Sequence, residues 1–285
     1  MCPFIDTQRV DLVEAETRLA YQAMYSENDP VFIRNVFQWA VDWFEGRFEG
    51  YLPIDVRYHD LEHTMQGVLC MARLLRRRAE LKHSPVVGRR LFELGVLAML
   101  MHDSGYLKKV GDVEGTGAKY TLVHVDRSVA FAEGFMRRQG YVRGDIVAAQ
   151  NMIRCTGLAV KLDAIPFQSS EERVVGCALG TADLVGQMAA PDYVEKLPVL
   201  FAEFEETTRF SGKAGLPGGF SSAEDMMRKT PEFWDRFVLP KLDTQLGGLV
   251  RVFSDPFPDG ANEYIDRVNV NIGRLRKMFS KEEAD

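Results

Sequence analysis

The segment RRLFELGVLAMLMHDSG, residues 89–105, decides the fold class. From Arg89 to His102 it is apolar nearly all round, and it reads as a helix buried on every side. Ser104-Gly105 supplies the stop. Such a helix needs amphipathic partners, and the chain offers them on both flanks. From His63 to Leu81, the residues Met65, Val68, Leu69, Ala72, Leu75 and Ala79 keep a three/four spacing. From Leu122 to Gln139, the residues Leu122, Val125, Val129, Ala132 and Met136 line one face, with Thr121 as the expected cap and Gly140 as the end. Residues 145–156, 171–190 and 262–279 also read as helices. So do 193–209, bent at Pro198, and 222–253, with a break near Pro240. No Val/Ile/Thr-rich alternating run bounded by turn residues marks a strand. The expected fold is an all-α multi-helix bundle, one domain over 1–285, with its core at about 55–190 and extra helices at 1–50 and 192–285. In the N-terminal flank, Phe32, Phe37, Trp39, Trp43 and Phe44 recur at helical spacing and read as core rather than as a base-stacking platform.

Composition narrows the function classes. Apolar residues make up 46% and charged residues 27%, which excludes a disordered or fibrous chain. The net charge is −6, from 35 basic and 41 acidic side chains, so long nucleic acid is not an expected partner. The Arg76–Arg78 run falls near a helix end, where cations suit the dipole, and reads as a solvated end. The four cysteines, Cys2, Cys70, Cys155 and Cys177, form no CxxC pair and suggest neither a disulfide framework nor a cysteine zinc site. The N-terminus lacks an apolar signal core, and the longest apolar run, GVLAMLM, is far short of a membrane span. The expectation is a reduced, cytoplasmic protein with no membrane partner.

The five histidines all lie between positions 59 and 124. Three strings carry them or share their chemistry: Tyr58-His59-Asp60-Leu61-Glu62-His63, Met101-His102-Asp103-Ser104-Gly105, and Thr181-Ala182-Asp183-Leu184. His59 and His63 are four apart, and on a helix both rings would leave one face. His102 and Asp103 fall where the buried helix ends, so the turning backbone lets both reach one ion. Asp183 stands in an apolar helix with Val175, Leu179 and Gly186, where a carboxylate is costly unless it is paired or ligates a metal. Imidazole and carboxylate together suit Zn²⁺, Mn²⁺ or Fe²⁺, with Mg²⁺ at an oxygen-rich second position. His83, between Lys82 and Ser84, reads as an ordinary loop residue. The GDVEGTGAK loop at 111–119 lacks the GxxxxGK[ST] order and a preceding strand, so it does not read as a nucleotide P-loop.

At these residues the sequence resembles the HD superfamily of metal-dependent phosphohydrolases. That family places a His, an adjacent His-Asp pair and a distant Asp, in this order, on helices of an all-α core. The matching residues are His63, His102-Asp103 and Asp183, over roughly 55–190. The string from Tyr58 to His63 and the ADL at 182–184 are similar to the cyclic-nucleotide phosphodiesterase branch. Two departures weaken that finer likeness: Asp60 stands where the branch has Asn, and Tyr106 where it has a further His. The resemblance implies one or two divalent ions (Zn, Mn, Fe, Co or Mg) held by His63, His102, Asp103 and Asp183, and a metal-activated hydroxide attacking a phosphomonoester or phosphodiester. The substrate it implies is small, phosphorylated and nucleotide-like. Asp103 would bridge two ions and serve in catalysis, and His59 would be the general acid, with Glu62 or Asp60 orienting its second nitrogen. Lys108, Lys109 and His124 are the candidate substrate contacts, His124 alternatively binding a second ion; Arg154 and Thr156 are weaker ones. A homodimer is possible. The alternative is a degenerate HD domain that binds a ligand or partner without turnover; a third reading, a di-iron oxygenase, would want extra histidine ligands, for which His124 is the obvious candidate.

Overall fold

Helical periodicity in the sequence becomes a run of packed helices in the computed structural model, which describes residues 5–29, 31–157, 159–212 and 217–280. In chain order these are α1 (Val10–Met24), α2 (Phe32–Phe44), α3 (Leu61–Glu80), α4 (Arg89–Met101), α5 (His124–Arg138), α6 (Arg143–Arg154), α7 (Ser170–Met188), α8 (Tyr193–Ser211), α9 (Ala223–Phe233), α10 (Leu239–Asp243) and α11 (Glu263–Phe279). Among the described residues the only sheet is a two-stranded antiparallel clip, β1 (Ser254–Asp255) with β2 (Ala261–Asn262). The all-α reading therefore holds. No helix among the described residues is long and apolar enough to cross a membrane. Cys2 and positions 213–216 of the SGKAGLPGGFSS stretch lie outside the described residues.

α4 is the central buried helix: every residue from Phe92 to Met101 is buried. Around it, one connected apolar core takes in residues from Val13 in α1 to Leu275 in α11. The N-terminal aromatics belong to that core. Trp43 packs edge-on against Phe131 and Phe135, with ring centroids 5.4 and 4.8 Å away, and Trp39 meets Phe135 at 5.2 Å. Edge-to-face geometry of this kind adds about 0.5–1.5 kcal/mol per pair beyond burial.

Two local devices bring the functional strings together. Asp60 caps α3: its carboxylate accepts from the His63 backbone N–H at 2.8 Å, which fixes where the helix starts and which way His63 points. α3 then packs chiefly on α7, and that contact depends on Gly186. A Cβ at Gly186 would sit 2.9 Å from the Gln66 carbonyl oxygen, so only glycine lets the two backbones approach this closely. Asp183, one turn before Gly186, is thereby carried up to His63. The second device is Gly105, in the tight 3₁₀ turn Ser104–Tyr106 that follows α4. A Cβ there would run into the His124 carbonyl at the start of α5. Gly105→Ala is expected to destabilise the fold by about 1–3 kcal/mol, the usual cost of overpacking. It should also push His124 away from Asp103; thermal unfolding of the variant measures the first effect.

Three local expectations need correction. Thr121 does not cap α5, because its Oγ1 donates to the Ala118 carbonyl at 2.7 Å; α5 begins at His124 without a side-chain cap. The expected helix at 222–253 is divided differently. α9 passes through Pro231 into a π-helical turn at Trp234–Val238 and then α10, where Pro240 sits in the first turn. The interruption comes later, at Gly247 and Gly248, both with positive φ, before a short 3₁₀ segment at Leu249–Phe253. Finally, α3 begins at Leu61, so His59 precedes the helix and does not share its face with His63.

Candidate metal centre

Four side chains converge where the start of α3 and the end of α4 meet the body of α7. His63 is the third residue of α3, His102 directly follows α4, Asp103 is next, and Asp183 lies in α7. His102 keeps helical dihedrals while Asp103 has φ −105° and ψ 9°, so the chain turns between them and both side chains reach one centre. His63 Nε2 is 3.3 Å from Asp103 Oδ2 and 3.4 Å from Asp183 Oδ1. His102 Nε2 is 3.1 Å from Asp103 Oδ2 and 3.4 Å from Asp183 Oδ1. Two imidazole nitrogens thus face the same two carboxylate oxygens. His63, His102 and Asp103 are buried and form a group whose ligand atoms are all close enough to hold one metal ion.

Whether a cation fits can be judged from the hydrogen bonding. His102 Nε2 and Asp103 Oδ2 are buried with no hydrogen-bond partner among the described residues. Buried polar atoms are rarely left this way, and such atoms at one point are what a metal ion satisfies. The ring tautomer agrees. His102 Nδ1 lies 2.8 Å from the Met99 carbonyl, which can only accept, so Nδ1 carries the proton and Nε2 offers its lone pair inward. The donor set of two nitrogens and two oxygens suits a first-row divalent ion.

The electrostatics of the metal-free site yield a test. Burial works to neutralise both histidines, but Asp103 and Asp183 outweigh it: His63 is pushed up to about 9 and His102 well above its ordinary value. Burial likewise opposes ionisation of the two carboxyls, yet the histidines hold both well below the usual carboxylate range. A metal needs the imidazole lone pairs, so it must displace these protons. Binding of Zn²⁺ at pH 7 should release protons from both rings, and affinity should rise with pH from neutrality through about pH 9, where His63 loses its proton. Calorimetry in buffers of different ionisation enthalpy reads this directly; no proton release at pH 7 would contradict the assignment.

The remaining predicted residues divide. His59 joins the site, its ring centroid 5.4 Å from that of His63. Its Nδ1 lies 2.6 Å from Glu203 Oε2, on α8. Glu203 Oε1 in turn accepts the backbone N–H groups of Arg57 and Tyr58, at 2.9 and 2.7 Å. Burial works against ionised Glu203, but His59 and these N–H groups hold its carboxyl below the ordinary range. Glu203 therefore orients His59; neither Asp60 nor Glu62 does, since Asp60 caps α3 and Glu62 pairs with Lys196 at 2.9 Å. His124 also joins, with Nε2 3.8 Å from Asp103 Oδ1 and Nδ1 donating to the Thr121 carbonyl at 2.6 Å. Burial lowers its pKa, which favours the neutral ring with a free Nε2 lone pair. Tyr106 is buried between the two, stacked on His59 at 4.6 Å and on His124 at 4.9 Å.

The other candidates stand apart. Lys108 is buried, its Nζ 2.7 Å from Asp55 Oδ2 and donating to the Gly115 carbonyl at 2.6 Å, so it ties down the 111–116 loop. Lys109 is exposed. Arg154 and Thr156 bond within their own helix end, to Asn151 and Ile153. His83 lies against Phe257 with centroids 5.0 Å apart, as an ordinary surface contact. In the glycine loop, Thr116 directs both its N–H and Oγ1 to Glu206.

Sequence reasoning missed Glu203. The signal was available, because Glu203 and Thr207 extend the buried stripe of Tyr193, Val194, Leu197 and Phe201. A carboxylate there is as conspicuous as Asp183 in α7. Comparison with known proteins adds a limited finding: a family model described as Npun_R2479-like matches residues 111–252. The match includes His124, Asp183 and Glu203 and starts after His63, His102 and Asp103. No curated protein matches the chain.

Proposed function

We propose that this protein is a divalent-metal-dependent phosphohydrolase of the HD type, cleaving a phosphomonoester or phosphodiester of a small nucleotide-like substrate. The observation that carries the reading is the convergence of His63, His102, Asp103 and Asp183 on one point, with the His59–Glu203 pair beside it. The order of these residues along the chain and their setting among the helices of an all-α core agree with the resemblance drawn from the sequence. A divalent ion there supplies Lewis-acid activation of water and neutralises charge on the phosphoryl group.

The chain's own residues do the rest. His63, His102, Asp103 and Asp183 would hold the ion. Asp103 turns one oxygen to the two histidines and the other toward His124, which suits a carboxylate shared between two cations. His59 donates a proton from Nε2 to the leaving alkoxide, while Glu203 keeps Nδ1 protonated and steadies the imidazolium before transfer. The buried Tyr106 ring stacks on both His59 and His124 and closes the site against bulk water on that side. The net charge of −6 favours a small substrate captured by the ion over a polyanion captured by a basic surface.

The test is a panel of phosphate esters, mononucleotides and cyclic nucleotides included, with Mn²⁺, Mg²⁺, Zn²⁺ or Co²⁺. Turnover of at least one ester with at least one ion is expected. No turnover of any ester with any ion would overturn the reading and leave a ligand-binding module instead.

A further inference from the structure

The imidazole of His63 has a second nitrogen that the four-ligand cluster does not use. Its Nε2 faces Asp103 and Asp183, while its Nδ1 is buried with no hydrogen-bond partner among the described residues. The other rings at the site differ: His59, His102 and His124 each engage Nδ1 with an acceptor, at 2.6, 2.8 and 2.6 Å. One turn further along α3, Gln66 is 7% exposed, and its Nε2 also lacks a partner among the described residues. Both side chains line a single cavity of about 10 Å³, whose other walls include Tyr58, Gln187 and Lys196. That is about the space of one water molecule; Ala190 and the Tyr193 ring complete the walls, and His63, Gln66 and Gln187 supply the polar partners an internal water requires.

We propose that this cavity is a water-binding site, and that a water held there by Gln66 is the outer hydrogen-bond partner that fixes the tautomer and aim of His63. The inference rests on His63 being a metal ligand. The water accepts from His63 Nδ1–H and from the Gln66 amide N–H. Gln187 lines the same cavity; its Oε1 accepts from Tyr58 Oη at 2.5 Å and has a second lone pair for a proton of the water. Gln187 is itself held, since its Nε2 donates to the Asp183 carbonyl at 2.8 Å. With Nδ1 protonated in this way, Nε2 presents its lone pair to the ion, as metal-bound histidines generally do. Gln66 is thus a positioning residue that touches no substrate. It also lines a wider cleft of about 210 Å³ bounded by Glu62, Arg73, Asp192 and Arg267.

Two measurements test the proposal. A crystal structure of the protein, with or without metal, at a resolution that orders internal waters should show one water between His63 Nδ1 and Gln66. A cavity without it, with both side chains placed as described, overturns the proposal. Gln66→Met keeps the side-chain volume and removes the donor. Its Zn²⁺ Kd, from competition with a chromophoric chelator, should rise about ten- to hundredfold. Gln66→Glu, which keeps a polar contact to the water, should stay nearer the wild type. Unchanged Zn²⁺ affinity in Gln66→Met overturns the positioning role. A wild-type protein that binds no Zn²⁺, Mn²⁺ or Co²⁺ overturns instead the metal reading, and with it the role of His63, whatever the water density shows.

Discussion

Asp103→Ala should abolish metal retention and turnover together. The two oxygens of Asp103 face different histidines: Oδ2 lies 3.1 and 3.3 Å from His102 and His63, and Oδ1 lies 3.8 Å from His124. Removing it leaves two buried histidines with Asp183 as their only close carboxylate. Breaking a buried ionic group by deleting one partner costs about 3–5 kcal/mol. Applied to the metal complex, that is roughly 10²–10⁴-fold in affinity, enough to strip a moderately bound ion during gel filtration. Metal content per chain after desalting, measured beside turnover and far-UV circular dichroism, checks this. A folded Asp103→Ala variant that keeps a full complement of metal would contradict the assignment of Asp103.

His59→Ala should separate the two properties that Asp103→Ala joins. His59 contacts Glu203 and stacks on Tyr106 but makes no ion pair with the cluster carboxylates. Loss of a general acid typically costs 10²–10⁴-fold in rate. The expected result is turnover lowered by roughly that factor, with metal content unchanged. Esters with good leaving groups, such as p-nitrophenol, need less protonation, so the variant should lose less on them than on alkyl esters. Glu203→Gln should move in the same direction by a smaller factor, because it weakens the orientation of His59 and leaves the imidazole in place. Metal loss in His59→Ala would instead place His59 among the ligands.

Much of this was legible from residue pattern alone. α4 announces itself because it is apolar on every side, and the four candidate ligands because each is a costly polar group at the end or on the buried face of a helix. What the sequence left open is what depends on contacts between distant elements. Glu203 meets His59 across 144 positions, and nothing near either residue specifies the pairing. Asp60 and Glu62 were the local candidates, but a helix N-cap and an ion pair with Lys196 claim them first. Lys108 and Lys109 show the same limit. A basic pair beside a motif suggests phosphate, yet the fold spends Lys108 on Asp55 and a loop carbonyl. Proline is the more visible breaker in the sequence, yet Pro240 falls in a first turn, where it is tolerated; α10 runs to Asp243, and the chain turns beyond it through Gly247 and Gly248.

The central claim is that His63, His102, Asp103 and Asp183 hold one divalent ion. Anomalous diffraction from crystals grown with Mn²⁺ or Zn²⁺ tests it most directly. The account predicts a peak bounded by His63 Nε2, His102 Nε2 and one oxygen each of Asp103 and Asp183, and any second peak on the side of Asp103 that faces His124. Full metal occupancy elsewhere on the chain, with these four side chains still paired only to one another, would contradict it.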